Sequence, residues 1–382
     1  MFTLPAELEA FQTRIRTFAR EKIGPVAALI DRTAEYPKAI HHLLAGEGFM
    51  RMVSNPEPGP TRFLARAILI EELAYVSAAV SMIPMVNELG CTPVQLFGTE
   101  EQKAHVLEGV ANATLFASYG LTEPQAGSDV AALQCGAEKA GEDWIITGEK
   151  SWICNVRQPG VCVVFARTGV KGARDALTAF LVPTDARGFD VTGAEPTLGL
   201  RGSPTFNFRL NGVRVSSAQI LGRPGDGFRV AMMTLNHTRP AVAAQALGIA
   251  RAAYDAARHH ARTRKTFGQP LIEHQAVGFM LADMHMRIRA ARHLVYEANL
   301  LLGEKTGGDP VASSTAKCFA SDTAMQVAVD AVQIFGGDGY STNHPVERFF
   351  RDAKVTQIYE GTNQIQRMVI ARRLATAEAG EY

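Results

Sequence analysis

The chain has 382 residues, of which 47% are apolar and 20% are charged, so it can bury a sizeable core and is expected to form two or three globular domains. Its 39 Lys and Arg residues nearly balance 38 Asp and Glu residues, which argues against a nucleic acid or a membrane surface as partner. The cysteines are scattered and never spaced as Cys-x-x-Cys. Neither a disulfide framework nor a zinc site is therefore predicted, and a reducing cytoplasm fits best.

The N-terminal part of the chain is predicted to be helical. Residues 1–9 contain no apolar run of signal-peptide length, and they favour a helix that Thr3 caps, with Pro5 in its first turn. From residue 5 to about residue 112, apolar side chains recur at three-and-four spacing, as on one face of a helix. The prolines within residues 55–60 break this pattern, and the chain has no apolar run long enough to predict a membrane span.

Short β-rich runs follow between about residues 115 and 221, with turns predicted at Thr147-Gly148 and Asn211-Gly212. Helical periodicity returns from residue 227 and is clearest between Val277 and Val295. The fold class is therefore mainly α with a central β domain. We predict an N-terminal helical domain (1–114), an antiparallel β sandwich or barrel (115–224) and a C-terminal helical domain similar to a four-helix bundle (225–382).

Two segments of the predicted β domain suit a flat ligand. Residues 119–129, Tyr-Gly-Leu-Thr-Glu-Pro-Gln-Ala-Gly-Ser-Asp, are rich in small and hydroxyl side chains, and a backbone can approach a ligand closely at such glycines. A turn that enters a strand would have the same composition. Residues 150–155 include Trp152, whose indole could stack on a cofactor ring or fill a core.

Glu360 lies near the C-terminus in the sequence Tyr359-Glu360-Gly361-Thr362. A Glu followed by Gly leaves helical geometry easily, and a carboxylate among aromatic side chains resists ionisation, which suits a base that works near neutral pH. Taken alone, Glu360-Gly361 also fits an ordinary solvent-exposed loop. The paired histidines at 41–42 and 259–260 lack further ligands and predict no metal site.

Four motifs extend along the chain: Leu121-Thr122-Glu123-Pro124 with Ala126-Gly127-Ser128-Asp129, Arg264-Lys265-Thr266-Phe267-Gly268, Gln333-Ile334-Phe335-Gly336-Gly337-Asp338-Gly339-Tyr340, and Tyr359-Glu360-Gly361-Thr362. In order and approximate spacing they resemble the acyl-CoA dehydrogenase family of FAD enzymes, and the resemblance covers essentially the whole chain. It is closest to the short- and medium-chain branches. It implies an acyl-CoA dehydrogenase-like fold with FAD clamped between the β domain and the C-terminal helices.

The resemblance also implies three groups of cofactor contacts. The first lines the isoalloxazine ring or nearby cofactor and substrate: Tyr119, Leu121, Thr122, Gly127, Ser128 and Trp152, with Cys154 standing near flavin N5 where the family often has Thr. The second reaches the FAD of a neighbouring subunit: Arg264, Thr266, Phe267, Gln333, Gly336 and Gly337. Physically, Arg264 offers planar donors for a pyrophosphate. The third group, Thr362 and Gln364, lies near the ribose and adenine.

For the reaction, the resemblance makes Glu360 the base that takes the α-proton of an acyl thioester as a hydride leaves the β-carbon for the flavin. The backbone N–H of Glu360 and a ribityl hydroxyl are expected to polarise the thioester carbonyl. One branch of the family carries its base immediately before the arginine that here is Arg239. Thr238 occupies that place and cannot serve, so Glu360 has no rival.

The resemblance further implies a set of substrate contacts: Ser128, Asn236, Arg239, Tyr359, Gly361, Met85 and Val86. Many members have an acidic residue where this chain has Asn236, which leaves open whether the pantetheine arm belongs to CoA or to a carrier protein. The bulk of Met85 and Val86 predicts a pocket for short, branched or cyclic acyl groups.

The partners implied by the resemblance are an acyl-CoA thioester, an electron-transfer flavoprotein or similar acceptor, and further copies of the chain in a tetramer built as a dimer of dimers. Three alternatives stay open: a dehydrogenase of carrier-protein-bound acyl groups, an oxidase that uses oxygen directly, and a non-catalytic homologue that binds acyl thioesters. The last is disfavoured because a binding module has no need of a base. A fourth, a helical scaffold with an inserted β interaction domain, predicts a colourless protein.

Overall fold

The computed structural model describes residues 4–55, 59, 61–169, 176–304 and 308–375. The predicted cap Thr3 and the prolines at 56, 58 and 60 lie outside these described residues. Helices form the N-terminal part of the chain, in agreement with the predicted fold class. Their bounds are α1 (Ala6–Phe18), α2 (Ala27–Thr33), α3 (Lys38–Gly46), α4 (Phe49–Ser54), α5 (Arg62–Val76), α6 (Ala78–Phe97) and α7 (Glu100–Ala111).

The middle of the chain forms one eight-stranded sheet with the path β6-β7-β3-β2-β4-β5-β8, and β1 pairs with β4. The strands are β1 (Phe116–Gly120), β2 (Gly136–Ala140), β3 (Asp143–Cys154), β4 (Gly160–Arg167), β5 (Leu177–Pro183), β6 (Phe189–Ala194), β7 (Thr205–Ser216) and β8 (Ile220–Leu221). Most pairings are antiparallel, as predicted, but β1 and β2 each pair with β4 in parallel. A parallel partner needs a long connection rather than a hairpin, and β1 enters the sheet directly after helix α7.

The two turns predicted inside the β domain are wrong. Thr147 and Gly148 lie within β3, opposite Asn211 and Leu210 of β7, and the register of the two strands shifts at this point. Gly212 has φ +67° and is passed over in the pairing, as expected for the extra residue of a β-bulge. A Cβ on Gly148 would approach Cys135 Cα to 2.6 Å. The glycines therefore mark a bulge and a close backbone approach, which a sequence pattern cannot distinguish from turns.

The C-terminal part is again helical and carries the residues that surround Glu360. Its elements are α8 (Gly227–Thr263), the short pair β9 (Lys265–Thr266) and β10 (Gln269–Pro270), α9 (Gln275–Glu304), α10 (Pro310–Phe335), α11 (Val346–Thr356) and α12 (Asn363–Leu374). The predicted apolar stripe of α9 faces the core: Leu281, Met284, Ile288, Ala291 and Val295 are all buried.

Two hydrophobic clusters organise the molecule. The larger joins the N-terminal helices, the C-terminal helices and one side of the sheet, with Phe165 and Leu247 fully buried within it. The smaller lies within the β domain around Trp144, Phe180 and Phe208. In the part of the chain that the structure describes, no helix combines the length and apolarity needed to cross a bilayer. The same part contains no cluster of side chains that could hold a metal ion.

Candidate active site

Glu360 stands in the turn between α11 and α12, where the backbone leaves helical geometry. Glu360 has φ +51° and Gly361 has φ +93°, so two successive residues adopt left-handed conformations. A side chain costs about 1–3 kcal/mol at such a position, and the turn must therefore be held by its surroundings. At Gly361 a Cβ would meet Gln366 Nε2 at 2.6 Å, which explains why glycine follows the glutamate.

The carboxylate of Glu360 is partly buried and accepts one hydrogen bond. Thr238 Oγ1 of α8 donates to Glu360 Oε2 at 2.5 Å. Burial, with the nearby Glu88 carboxylate, raises the pKa of Glu360 to about 7, although the Thr238 hydrogen bond and the cations of Arg239 and Lys317 act in the opposite direction. A carboxyl group of this pKa is divided between its two protonation states near neutral pH, as a general base requires.

Arg239 ties the backbone of Glu360 to α8. Its Nε donates to the carbonyl oxygen of Glu360 at 3.2 Å, and its Nη1 donates to Asn236 Oδ1 at 2.8 Å. The structure thus brings Asn236 and Arg239 together beside Glu360. In this arrangement the Asn236 carbonyl oxygen is occupied by an internal contact, which leaves its amide N–H groups for other partners.

Tyr359 and helix α6 form the wall next to Glu360. The Tyr359 hydroxyl donates to Gln245 Oε1 of α8 and lies 3.8 Å from Met82 Sδ. Gln245 Nε2 in turn donates to Ser81 Oγ at 3.0 Å. Met85 and Val86, predicted to floor the acyl pocket, are both buried on α6. The wall is therefore fixed by buried hydrogen bonds as well as by packing.

The β-domain segments predicted to contact a cofactor are organised by a buried ion pair. Lys150, which is fully buried, donates to Glu123 Oε1 at 2.8 Å and to the Leu121 carbonyl at 3.1 Å. The carboxylate of Glu123 also accepts the backbone N–H groups of Gln134 and Cys135. The backbone N–H of Ser151 donates to the Thr122 carbonyl at 3.0 Å. These contacts fix residues 121–123 against residues 150–151.

The two tryptophans of the β domain differ. Trp144 fills the core and is 8% exposed, whereas Trp152 is 59% exposed and has φ +64°. Cys154 follows on the same strand, with its Sγ 3.3 Å from Thr205 Oγ1, and burial raises the pKa of its thiol. Burial raises the pKa of the Tyr119 phenol, and the nearby Glu360 carboxylate raises it further. Burial likewise raises the pKa of the Tyr359 phenol, and Glu360 and Cys154 add to this effect. The β segments and Glu360 thus share one neighbourhood.

These residues fit a flat, partly polar cofactor. The buried Tyr119 hydroxyl has no hydrogen-bond partner within the described ranges, and the exposed Trp152 indole offers an aromatic face. Gly127 and Ser128 are exposed, and a Cβ added at Gly127 would meet no atom within 4 Å. A ring placed at this site would find stacking, backbone and hydroxyl partners.

A second group of predicted cofactor residues lies elsewhere. Arg264 directly follows α8, Thr266 is the last residue of β9 and Phe267 lies in the β9–β10 turn. Gln333 lies in the last turn of α10, and Gly336 and Gly337 directly follow that helix. The two helix ends meet where His260 stacks on Phe335 at 4.1 Å. Arg264 follows Thr238 by 26 residues, which corresponds to about 39 Å along a helix with a rise of 1.5 Å per residue. The structure therefore separates this group from Glu360.

The third predicted pair flanks the start of α12. Thr362 caps the helix by accepting the backbone N–H of Ile365 at 3.4 Å, and Gln364 is exposed. Sequence reasoning missed several neighbours of Glu360, namely Thr238 as its hydrogen-bond donor, and Glu88, Gln245, Lys317 and Gln366. Thr238 is 122 residues from Glu360 in the chain, so no local pattern could have paired them.

The fold and this site define a flavin-dependent dehydrogenase, and comparisons with known proteins give the same class. The chain matches the family models for the N-terminal, middle and C-terminal domains of acyl-CoA dehydrogenase over residues 5–114, 118–213 and 225–375. It is 44% identical to the probable acyl-CoA dehydrogenase FadE25 of Mycobacterium tuberculosis, over 98% of this chain and 97% of the relative. It is 42% identical to cyclohexane-1-carbonyl-CoA dehydrogenase of Geobacter metallireducens, over 98% and 99% of the two chains.

Among solved structures, butyryl-CoA dehydrogenase from Megasphaera elsdenii superimposes with a TM-score of 0.92 at 37% identity, covering 98% of this chain and 100% of that one. The chain belongs to the acyl-CoA dehydrogenase family. It is an oxidoreductase that acts on an acyl-CoA thioester with FAD as cofactor.

Proposed function

We propose that Glu360 is the base that removes the α-proton of the acyl-CoA thioester, giving a 2-enoyl-CoA. The observation that carries this proposal is the position of its carboxylate, partly buried beside Thr238 with a pKa raised to about 7. The bound FAD would supply the acceptor for the hydride that leaves the β-carbon. A positioned base typically contributes about 10²–10⁴ in rate.

The backbone around Glu360 supports charge stabilisation as well as proton transfer. The carbonyl of Glu360 is occupied by Arg239 Nε, whereas its backbone N–H donates to no backbone carbonyl in the described ranges. We assign this N–H to the thioester carbonyl, where a fixed donor stabilises the negative charge that develops on oxygen. The base and the donor would then belong to one residue.

The side chains that would hold FAD fall on two surfaces of the chain. Near Glu360, Trp152 and Tyr119 supply aromatic surface, Leu121, Thr122, Gly127 and Ser128 supply backbone and hydroxyl groups, and Cys154 supplies a protonated thiol. Thr362 and Gln364 extend this surface towards α12. Arg264 with its neighbours lies about 39 Å away along α8, a separation that favours contact with the cofactor of a second copy.

The separation of Arg264 from Glu360 supports an assembly of several copies of the chain. We propose a homo-oligomer, a tetramer built as a dimer of dimers, in which Arg264, Phe267 and Gln333 of one copy meet the FAD of another. Phe267 is 98% exposed, which fits a side chain that packs against a partner. Replacement of Arg264 by Ala is expected to weaken FAD retention and assembly together. Gel filtration and flavin content would test this, and a fully flavinated, intact oligomer would contradict it.

The acyl group is proposed to be compact. Met85 and Val86 are buried on α6, and Tyr359 is anchored to Gln245, so the wall beside Glu360 has little freedom to recede. Two relatives act on butyryl-CoA and cyclohexane-1-carbonyl-CoA, both of which carry short or cyclic acyl groups. Ser128, Asn236, Arg239 and Gly361 complete the proposed substrate contacts. Turnover of straight long chains as fast as short ones would contradict this assignment.

The remaining assignments concern the cellular setting and the limits of the domains. Electrons are proposed to pass to an electron-transfer flavoprotein or a similar acceptor. The five cysteines are unpaired, which fits a reducing cytoplasm.

The proposed domain limits are 1–114, 115–224 and 225–382, and limited proteolysis near residues 114 and 224 would test them.

Anaerobic titration of the FAD-loaded protein tests the base. We expect flavin absorbance to bleach with compact acyl-CoAs, with acyl-carrier proteins included in the panel to separate the two pantetheine sources. Glu360→Gln should retain FAD, and its rate of flavin bleaching should fall by a factor of about 10²–10⁴. Glu142→Gln, a matched change at an exposed glutamate, should behave like the wild type. Bleaching of Glu360→Gln at the wild-type rate would remove Glu360 from the mechanism.

A further inference from the structure

The turn that carries Glu360 is held in an unfavourable conformation by side chains from three helices. Glu360 and Gly361 are both left-handed, and a non-glycine residue keeps such a conformation only when its surroundings enforce it. The carbonyl oxygens of these two residues are the points of attachment. Arg239 of α8 donates to the Glu360 carbonyl, and Gln366 of α12 donates to the Gly361 carbonyl at 2.8 Å.

The third attachment is Lys317 of α10. Its Nζ donates to the Gly361 carbonyl at 2.8 Å and to Asn363 Oδ1 at 2.9 Å. The side chain is fully buried, and both of its hydrogen-bond acceptors are uncharged. Burying an ammonium group is costly unless nearby groups compensate its charge. A neutral donor such as Gln could bond the same oxygens, so hydrogen bonding alone does not explain a cation at this position.

Among the groups that favour the charged form of Lys317, the carboxylate of Glu360 acts most strongly, and Asp322 contributes as well. The attraction of Glu360 raises the pKa of Lys317, while burial, the larger effect, lowers that pKa to about 8. Lys317 is therefore largely protonated at neutral pH. In return, the Lys317 cation lowers the pKa of Glu360 and so favours the ionised carboxylate. The lysine thus acts on both the backbone and the charge of the proposed base.

We propose that Lys317 is a positioning residue of the dehydrogenation, which locks the Glu360–Gly361 turn and supplies the positive charge that keeps the Glu360 carboxylate available as a base. This proposal rests on the role of Glu360 given above. Lys317 acts on Glu360 indirectly, through its hydrogen bond to the Gly361 carbonyl and through the positive charge of its ammonium group.

Every element packed around Glu360 contributes to its titration. Arg239 and the Thr238 hydroxyl of α8 favour the ionised form together with Lys317 of α10, whereas Glu88 of α6 opposes it. The phenols of Tyr119 on β1 and Tyr359 on the same turn remain neutral because burial raises their pKa values further. Lys317 is in turn faced by Glu360, Cys318, Arg239 and Asp322. Removing one cation from this set raises the pKa of Glu360.

The test compares three substitutions of Lys317 in the FAD-loaded protein. Lys317→Met removes the donor and the charge, Lys317→Gln keeps a donor and removes the charge, and Lys317→Arg keeps both. Ser321→Ala is the matched control, because Ser321 lies one turn further along α10 and contacts Asn363 but not Gly361. The measurement is the rate of anaerobic flavin reduction by substrate between pH 5 and pH 9.

We expect the rise of the rate with pH to move to higher pH by about one unit in Lys317→Gln and Lys317→Met, which corresponds to a tenfold lower rate on the acidic side. Lys317→Met should lose additional rate at all pH values because the turn is released. Lys317→Arg and Ser321→Ala should keep the wild-type pH profile. A merely structural lysine would change flavin content or thermal stability without moving the profile.

An unchanged pH profile and rate in both Lys317→Gln and Lys317→Met would overturn the proposal. If Lys317→Met yields no folded flavoprotein, Lys317→Gln alone decides the electrostatic part, since it preserves the donor. Glu360→Gln is measured in parallel. If Glu360→Gln bleaches the flavin at the wild-type rate, the proposed base itself is refuted. If Glu360→Gln is inactive while the Lys317 variants keep the wild-type rate and pH profile, only the role of Lys317 is refuted.

Discussion

Glu123 and Glu360 are two carboxylates withdrawn from water whose pKa values move in opposite directions. Burial pushes both upward. At Glu123, the Lys150 cation and the backbone N–H groups of Gln134 and Cys135 outweigh burial, so its pKa falls below the ordinary value. At Glu360, the Thr238 hydroxyl is the one hydrogen-bond donor to the carboxylate in the described ranges, and the pKa rises to about 7. The number and charge of the partners therefore decide whether the effect of burial on the pKa is outweighed, as at Glu123, or prevails, as at Glu360.

This contrast separates a structural carboxylate, Glu123, from the proposed base, Glu360. Glu123 uses its oxygens to hold residues 121–135 in place, and it has no unsatisfied capacity left for a substrate. Glu360 is held through its backbone carbonyl by Arg239. Among the described residues its carboxylate receives a hydrogen bond at Oε2 alone, from Thr238. An immobile backbone with an under-coordinated carboxylate is the arrangement that a proton-abstracting group requires.

The largest expected effect comes from breaking the Glu123–Lys150 pair. Lys150→Met leaves a carboxylate buried without its cation, which should cost about 3–5 kcal/mol of unfolding free energy. It should also reduce FAD retention, because Lys150 holds the Leu121 carbonyl. Urea unfolding and flavin content measure the two effects. The double variant Glu123→Gln/Lys150→Met should recover part of the lost stability, and wild-type stability of Lys150→Met would contradict the assignment.

The second prediction uses the dependence of stability on pH. The pKa of Glu360 is about 7 in the folded protein against 4.5 for an ordinary Glu, so the folded state binds more protons and loses stability as the pH rises through this window. At about 1.4 kcal/mol per pKa unit, the loss amounts to at most about 3.5 kcal/mol. Glu123 has the opposite sign, because its stabilising contribution is present above the unfolded pKa and is lost as the pH falls through the lower folded pKa.

Glu360→Gln isolates this contribution. The stability of the variant relative to the wild type should increase between pH 4.5 and pH 7 and then remain constant, measured by urea unfolding at a fixed FAD concentration. Glu142→Gln, at an exposed position, should show no such trend. A difference between Glu360→Gln and wild type that does not vary with pH would mean that Glu360 titrates alike in the folded and unfolded states.

A smaller effect is expected at Thr238, which donates a hydrogen bond to the Glu360 carboxylate. The Thr238 hydrogen bond lowers the pKa of Glu360, so Thr238→Val should raise that pKa further and move the rise of kcat/KM to higher pH. A shift of up to about one unit corresponds to the loss of a charge-assisted hydrogen bond of about 1.5 kcal/mol. Thr238→Ser retains the hydroxyl and should keep the wild-type profile. Identical profiles for the Val and Ser variants would exclude this hydrogen bond as a determinant.

The sequence allowed the order of helices, β domain and helices to be predicted, because each element has a local period and its own composition. Glu360 was predicted as the base from the short motif around it together with the resemblance of the whole chain to the family, and that role stays a prediction. The two turns predicted at Gly148 and Gly212 are instead a close backbone approach and a bulge, since glycine indicates an unusual backbone without indicating which one. Thr238 contacts Glu360 from 122 residues away and Lys317 contacts Gly361 from 44 residues away, and only the packing of α8 and α10 reveals these contacts.

The smallest expected effect concerns Cys154, which lies near the site without carrying charge. Its thiol contacts Thr205 Oγ1 at 3.3 Å, and burial raises its pKa, so it remains protonated at neutral pH and should be a poor nucleophile. Cys154→Ser exchanges a weak donor for a stronger one at nearly constant size and should change stability by no more than about 1 kcal/mol. In the wild type, alkylation of Cys154 at pH 8, followed by mass spectrometry, should be much slower than that of a free cysteine. Labelling at the rate of a free thiol would show that Cys154, unlike Glu123 and Glu360, is governed by solvent rather than by its neighbours.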